Sequence, residues 1–169
     1  FPGLAIAEVQ VSGVQPPADV VAVSVRGTVP GWAVQRDGVW SLVPQRPPEP
    51  WLQTYAQSPT RRQPWILPHG WHEQLTVHLQ LPTGAEALPL PAPQNHTAAG
   101  ASWSWQATVQ PRDGQPSEQE VVVQHTLQMP ARVSVRDYRS LRDWFGKVDA
   151  GLTTPLRWRV GGPGPKAAG

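Results

Sequence analysis

The stretch SVRDYRSLRDWFGKVDAGL at 134–152 constrains the architecture of this chain more than any other. It is free of proline, and Tyr138, Leu141, Phe145, Val148 and Leu152 recur at helical spacing, with Trp144 beside the stripe. Arg136, Arg139, Arg142, Asp143, Lys147 and Asp149 fall mostly off it. Ser134 stands where an N-cap belongs, and Asp137 three positions on can help satisfy the first free N–H groups. Gly151 is the expected stop. All 21 prolines of the 169 residues lie outside this stretch. Proline breaks helices, so one helix set against a β-rich remainder is expected.

That remainder alternates as strands do. AEVQVSGV at 7–14 places Ala7, Val9 and Val11 on one face and Glu8, Gln10 and Ser12 on the other, which predicts a half-buried strand. DVVAVSVRGTV at 19–29 is a second, β-branched strand. In WAVQRDGVWSLV at 32–43 the pair Asp37-Gly38 sits between two apolar arms, the signature of a type I′ hairpin. Residues 44–70 are too proline-rich for a helix or central strand. They read as an extended connection anchored by Trp51, Leu52, Tyr55 and Trp65, part of it pairing as an edge strand. EQLTVHLQLPTG at 73–84 sets Leu75, Val77, Leu79 and Leu81 against Thr76, His78 and Gln80. ASWSWQATVQ at 101–110 aligns Trp103, Trp105, Ala107 and Val109. EVVVQHTLQM at 120–129 aligns Val121, Val123, His125, Leu127 and Met129, and these two strands predict a hairpin. TPLRWRV at 154–160 closes the pattern. At least seven short strands and one packed helix predict a mainly β fold, an antiparallel, immunoglobulin-like β-sandwich. It is drawn as a single domain over 1–160: N-terminal strands at 1–43, the Pro-rich connection at 44–70, and strands plus helix at 71–160. GGPGPKAAG at 161–169 reads as a flexible tail.

Little here points to chemistry. The formal charge is +2, with Arg and acidic residues interleaved, which gives no reason to expect nucleic acid. The chain has no cysteine, so thiol nucleophiles, disulfides and thiolate metal sites are excluded. No apolar run approaches the ~20 residues that span a bilayer, and no signal peptide opens the chain. Phe1 is not an initiator residue, so the chain reads as a processed product or part of something longer. His69, His72, His78 and His96 cluster loosely without HExxH spacing, and surface histidines fit them better than a metal site. His125, on an apolar face, reads as a hydrogen-bonded core histidine. Ser102 and Ser104 lack the strained turn of a GxSxG nucleophile. Glu118 and Glu120 read as exposed residues of a hairpin end. Phosphate-binding and dinucleotide motifs are absent, and no cofactor is implied. Asn95-His96-Thr97 is a glycosylation sequon, relevant only in a eukaryotic secretory setting.

The tryptophans offer the one binding reading. Trp103 and Trp105 share a sheet face and could stack sugar rings or a Pro-rich peptide, with Trp71 a further binding candidate. The competing reading buries Trp103 and Trp105 in the core against Leu75, Leu79 and the helix stripe. It is favoured because Ser104, Gln106 and Thr108 occupy the opposite face. Trp32, Trp40, Trp51, Trp65 and Trp71 lie near loops.

The order of elements carries a resemblance. TRRQPWILP leads into EQLTVHLQLPTGAE, a Trp-bearing strand, EVVVQHTLQM, and then VSVRDYRSLRDWFGKVDAGLTTPLRWRV. This resembles the C-terminal β-sandwich of bacterial exported transglutaminase-like proteins over residues 55–160. The matching positions are Arg61 and Pro64, then Leu81, Pro82 and Gly84, then Asp137, Tyr138 and Asp149. The resemblance implies a domain that follows a papain-like core. That core holds the family's Cys-His-Asp set, so nothing catalytic carries over to a chain without cysteine. It also implies a periplasmic or envelope setting and a protein partner. The sequence thus leads to a non-catalytic accessory domain, with a Trp-based glycan- or peptide-binding module as the alternative. Ser134, Tyr138, Leu141, Phe145 and Val148 are assigned structural roles.

Overall fold

Strands dominate, as the alternation requires, in a computed structural model that describes residues 5–13, 21–44, 49–112 and 115–160. The expected tail at 161–169 lies outside the described residues. The fold is mainly β and antiparallel, with about half of the chain in strands. It divides into two units, Phe1–Val34 and Gln35–Gly169, where the sequence reading runs one domain through 1–160.

The first unit is an antiparallel ribbon of β1 (Ala5–Ser12) and β2 (Ala22–Thr28). Its register sets Val9 opposite Val25 and Val11 opposite Val23 on one face. Glu8 opposes Arg26 and Gln10 opposes Ser24 on the other. The predicted strand is present, but it is not half-buried: every residue of both strands is exposed. Alternation says which residues share a face, not whether the face meets anything.

The second unit starts within β3 (Val34–Arg36) and runs β4 (Val39–Leu42), α1 (Trp51–Tyr55), β5 (Trp65–Ile66), β6 (Trp71–Gln80), β7 (Ala85–Ala87), β8 (Gln94–Ala98), β9 (Ala101–Arg112), β10 (Gln115–Met129), β11 (Arg132–Val133), α2 (Tyr138–Leu152) and β12 (Leu156–Val160). Asp37 and Gly38 between β3 and β4 have φ of 51° and 76°, as the type I′ turn requires. The main sheet has four strands in the order β6-β10-β9-β8, and a second has the order β3-β4-β12-β7. β5 pairs with β11, so part of the Pro-rich connection does join a strand. Its inner face makes β10 the spine of the core: Val121, Val123, Leu127 and Met129 are buried, with Trp103 and Trp105 beside them on β9. α2 packs over β8 and β9, and β7 meets β10.

Three local expectations change. First, α2 begins at Tyr138, with Asp137 at the N-cap position and no side-chain capping bond. Ser134 instead closes the preceding turn. Its hydroxyl donates to the Asp137 carboxylate at 2.7 Å and lies 3.2 Å from the Asp137 N–H, which it accepts. Second, Gly151 lies inside the last helical turn and the C-cap is Thr153, so Gly151 does not end the helix. Third, the Pro-rich connection holds a helix, α1. Its N-cap is Pro50, which has no polar side chain. Asp149 on α2 supplies the cap from a distance: Oδ1 accepts the Trp51 N–H at 2.7 Å and Oδ2 the Leu52 N–H at 2.9 Å. Free N–H groups at a helix start need such acceptors, which is why one turn of helix survives among prolines.

The stripe on α2 is buried as the spacing predicts: Tyr138, Leu141, Trp144, Phe145, Val148 and Leu152. Three aromatic side chains find backbone acceptors for their polar tips. The Tyr138 hydroxyl donates to Ser58 O at 2.7 Å, Trp144 Nε1 to His96 O and Trp65 Nε1 to Tyr55 O, both at 2.9 Å.

Candidate functional site

The outer and inner faces of the main sheet separate the reactive side chains. Thr76, Ser104 and Thr126 lie on the outer face: Ser104 stands in register between Asn95 and Thr126, and Thr76 opposes Gln124. His125 and Glu73 lie on the inner face. These three hydroxyls and the His125–Glu73 pair therefore sit on opposite sides of the same sheet.

The pair itself is close. His125 is 4 % exposed, and its Nε2 lies 3.3 Å from Glu73 Oε1. Hydrogen bonding and charge from His125, helped by a bond from Trp71, hold the Glu73 carboxyl below its ordinary value of 4.5 against the opposing effect of burial. Glu73 thus binds its proton more weakly in the folded chain than in the unfolded one. It contributes stability above about pH 4.5, and that contribution is lost as the pH falls through the lower, folded value. Urea unfolding of wild type and Glu73→Gln at pH 7 and pH 3 tests this. The midpoint gap between them should shrink at pH 3; an unchanged gap would show that the carboxylate is not held this way.

The other histidines do not converge. His69, His72 and His78 are exposed, and His78 approaches Glu120 at 3.3 Å. His96 stacks on Trp103 at 5.8 Å between ring centres. Among the described residues no three His, Asp or Glu side chains are grouped to hold a metal. Glu118 and Glu120 are half-buried rather than exposed. The β9–β10 hairpin extends past them, so Glu120 sits between Gln80 and Gln110 and accepts a bond from the latter at 3.0 Å.

The candidate tryptophans part company. Trp103 and Trp105 are 1 % and 2 % exposed, so neither presents a ring face to a ligand. Trp71 is half-buried in an aromatic cluster with Trp51 and Tyr55. Its ring centre lies 6.1 Å from that of Trp51 at 31°, and 6.3 Å from Tyr55 edge-on. Trp65 is buried, and Trp40 stacks on Trp158 at 6.5 Å. The sequon residue Asn95 is exposed on β8, a strand that its flanking prolines hid from the sequence reading.

The surface least like a solvated one is the aliphatic face of the β1–β2 ribbon. Val9, Val11, Val23 and Val25 are 51 %, 52 %, 61 % and 48 % exposed, while Glu8 and Arg26 approach at 3.7 Å on the opposite face. Sequence alternation finds these residues but reads them as core.

No family model and no curated protein matches the chain. Among solved structures, the fold is similar to part of a "putative protease" from Parabacteroides distasonis, with a TM-score of 0.51 and 16 % identity. The similarity covers 73 % of this chain and 24 % of that one, so the matched region spans about a quarter of that protein's length. No helix among the described residues is long and apolar enough to cross a membrane.

Proposed function

We propose that this chain is a non-catalytic accessory domain that packs against a neighbouring domain through the aliphatic face of its β1–β2 ribbon. The observation that carries this reading is the in-register set Val9, Val11, Val23 and Val25, each about half exposed. A two-stranded ribbon is marginally stable in water, and burying each half-exposed valine contributes about 1 kcal/mol. Covering this face therefore stabilises both the ribbon and whatever covers it. A similar fold forms about a quarter of a longer chain, which supports a role within a multidomain protein. The resemblance to exported transglutaminase-like proteins supplies the neighbour's class, a papain-like core, and a bacterial periplasmic or envelope setting.

Hydrogen exchange on the full open reading frame and on this chain alone tests the proposal. Amides of 5–12 and 22–28 should be better protected in the longer protein, and Val9→Ser with Val25→Ser should remove the difference. Equal protection in both proteins would refute it.

A further inference from the structure

β6 is the terminal strand of the main sheet, and it is long. All ten of its residues pair with β10 on one side, and no strand among the described residues lies on the other. Natural edge strands are blunted by Lys, Pro, bulges or an inward charge. β6 has no Lys or Pro, its register with β10 is unbroken, and Glu73, its one inward charge, lies near the N-terminal end. From Gln74 to Gln80 the strand itself carries no Lys, Pro, bulge or inward charge. Its inward residues Leu75, Val77 and Leu79 are half-buried, whereas their neighbours Val121 and Val123 on β10 are buried. The core therefore thins toward this edge.

The backbone fixes what could be added. The Leu81 N–H donates to Gln119 O at 3.1 Å, and Leu81 and Gln119 continue the β6–β10 register. In an antiparallel ladder hydrogen-bonded pairs alternate with non-hydrogen-bonded ones. The odd residues of β6 thus direct their backbone groups to β10. Gln74, Thr76, His78 and Gln80 direct theirs to the open edge.

We infer that this edge pairs with the same edge of a second copy of the chain, antiparallel and centred on Val77. The sequence is self-complementary in that register. Val77 faces the partner's Val77, and Leu75 faces the partner's Leu79 on the inner side. On the outer side Thr76 faces the partner's His78 and Gln74 faces the partner's Gln80. The four residues with outward backbone groups fall on the hydrogen-bonded pairs, giving about eight N–H···O bonds across the seam. Other registers fit worse. Shifting the pairing by two residues in one direction sets Glu73 against the partner's Leu79. In the other direction it sets His78 against the partner's His78. The product is one continuous eight-stranded sheet with a two-fold axis normal to it. This seam does not involve the β1–β2 ribbon and is independent of the function proposed above.

Sedimentation velocity on the 169-residue chain should show the mass of a dimer as concentration rises. Thr76→Lys with His78→Lys places lysines opposite lysines across the seam and should give a monomer with unchanged circular dichroism and melting temperature. Since the chain has no cysteine, a Val77→Cys variant carries a single thiol. Opposed non-hydrogen-bonded residues have Cα atoms about 4.5 Å apart, within disulfide range, so mild oxidation should link two Val77→Cys chains. A Leu75→Cys control, whose partner is Leu79, should not link. A wild type that stays monomeric, a dimer that survives the double lysine change, or equal cross-linking of the two cysteine variants would overturn the inference.

Discussion

The same substitution at two glycines of α2 should move stability in opposite directions. Gly146→Ala should stabilise the fold by about 0.5–1 kcal/mol, the usual gain from removing glycine's backbone freedom in a helix. A Cβ at Gly146 would meet nothing within 4 Å. Gly151→Ala should destabilise it by about 2 kcal/mol or more, outweighing that same gain. A Cβ there would lie 2.8 Å from Cζ3 of Trp103 and 2.7 Å from Gln94 Oε1, with Cη2 of the same ring closer still. Gln94 could swing aside; the indole cannot, because it is 1 % exposed and stacked on His96. Thermal unfolding of the two variants beside wild type checks this. A stabilised Gly151→Ala would mean that the helix does not lie against Trp103 as the structure has it.

Phe145→Ala should cost about 3–5 kcal/mol, the range for deleting a buried aromatic ring. Phe145 is fully buried. Its ring meets Trp144 at 5.1 Å, Tyr55 at 5.8 Å and Trp65 at 6.2 Å between centres. It therefore joins α2 to α1 and to β5, and its loss leaves a cavity that the paired strands cannot close. Phe145→Leu, which keeps most of the volume, should recover much of the stability. Tryptophan emission should shift to the red in Phe145→Ala as Trp65 and Trp144 gain water. Unaltered melting and emission would show that α1 and α2 are not packed through this ring.

The main strands were legible in the sequence because one sheet face meets a core and the other, Val122 apart, is mostly exposed. Leu75 to Leu79, Trp103 to Ala107 and Val121 to Met129 all announce themselves by period two. β8 was not legible: Gln94–Ala98 is short, polar and preceded by proline, and it is a strand because Ser102 to Trp105 offer it a ladder. α1 was hidden for a related reason. Its cap comes from Asp149, 98 residues from Trp51 in sequence, and local rules for helix starts look only a few residues away. The burial of Trp103 and Trp105 is legible because the residues alternating with them are small or polar and fit an outward face.

By itself the sequence determined the mainly β class, the helix at the end, the residues that share each face, and the absence of thiol chemistry. These follow from local periodicity and composition, which a chain carries wherever it goes. Only the tertiary structure decided which faces are covered. It left the valines of β1 and β2 exposed and buried Trp103 and Trp105. It made Gly151 a point of close approach rather than a stop, turned Asp149 into a cap for a distant helix, and left β6, among the described residues, as the last strand of its sheet. Each of these depends on what lies across a contact between residues far apart in the chain, and no local pattern encodes the other side of a contact.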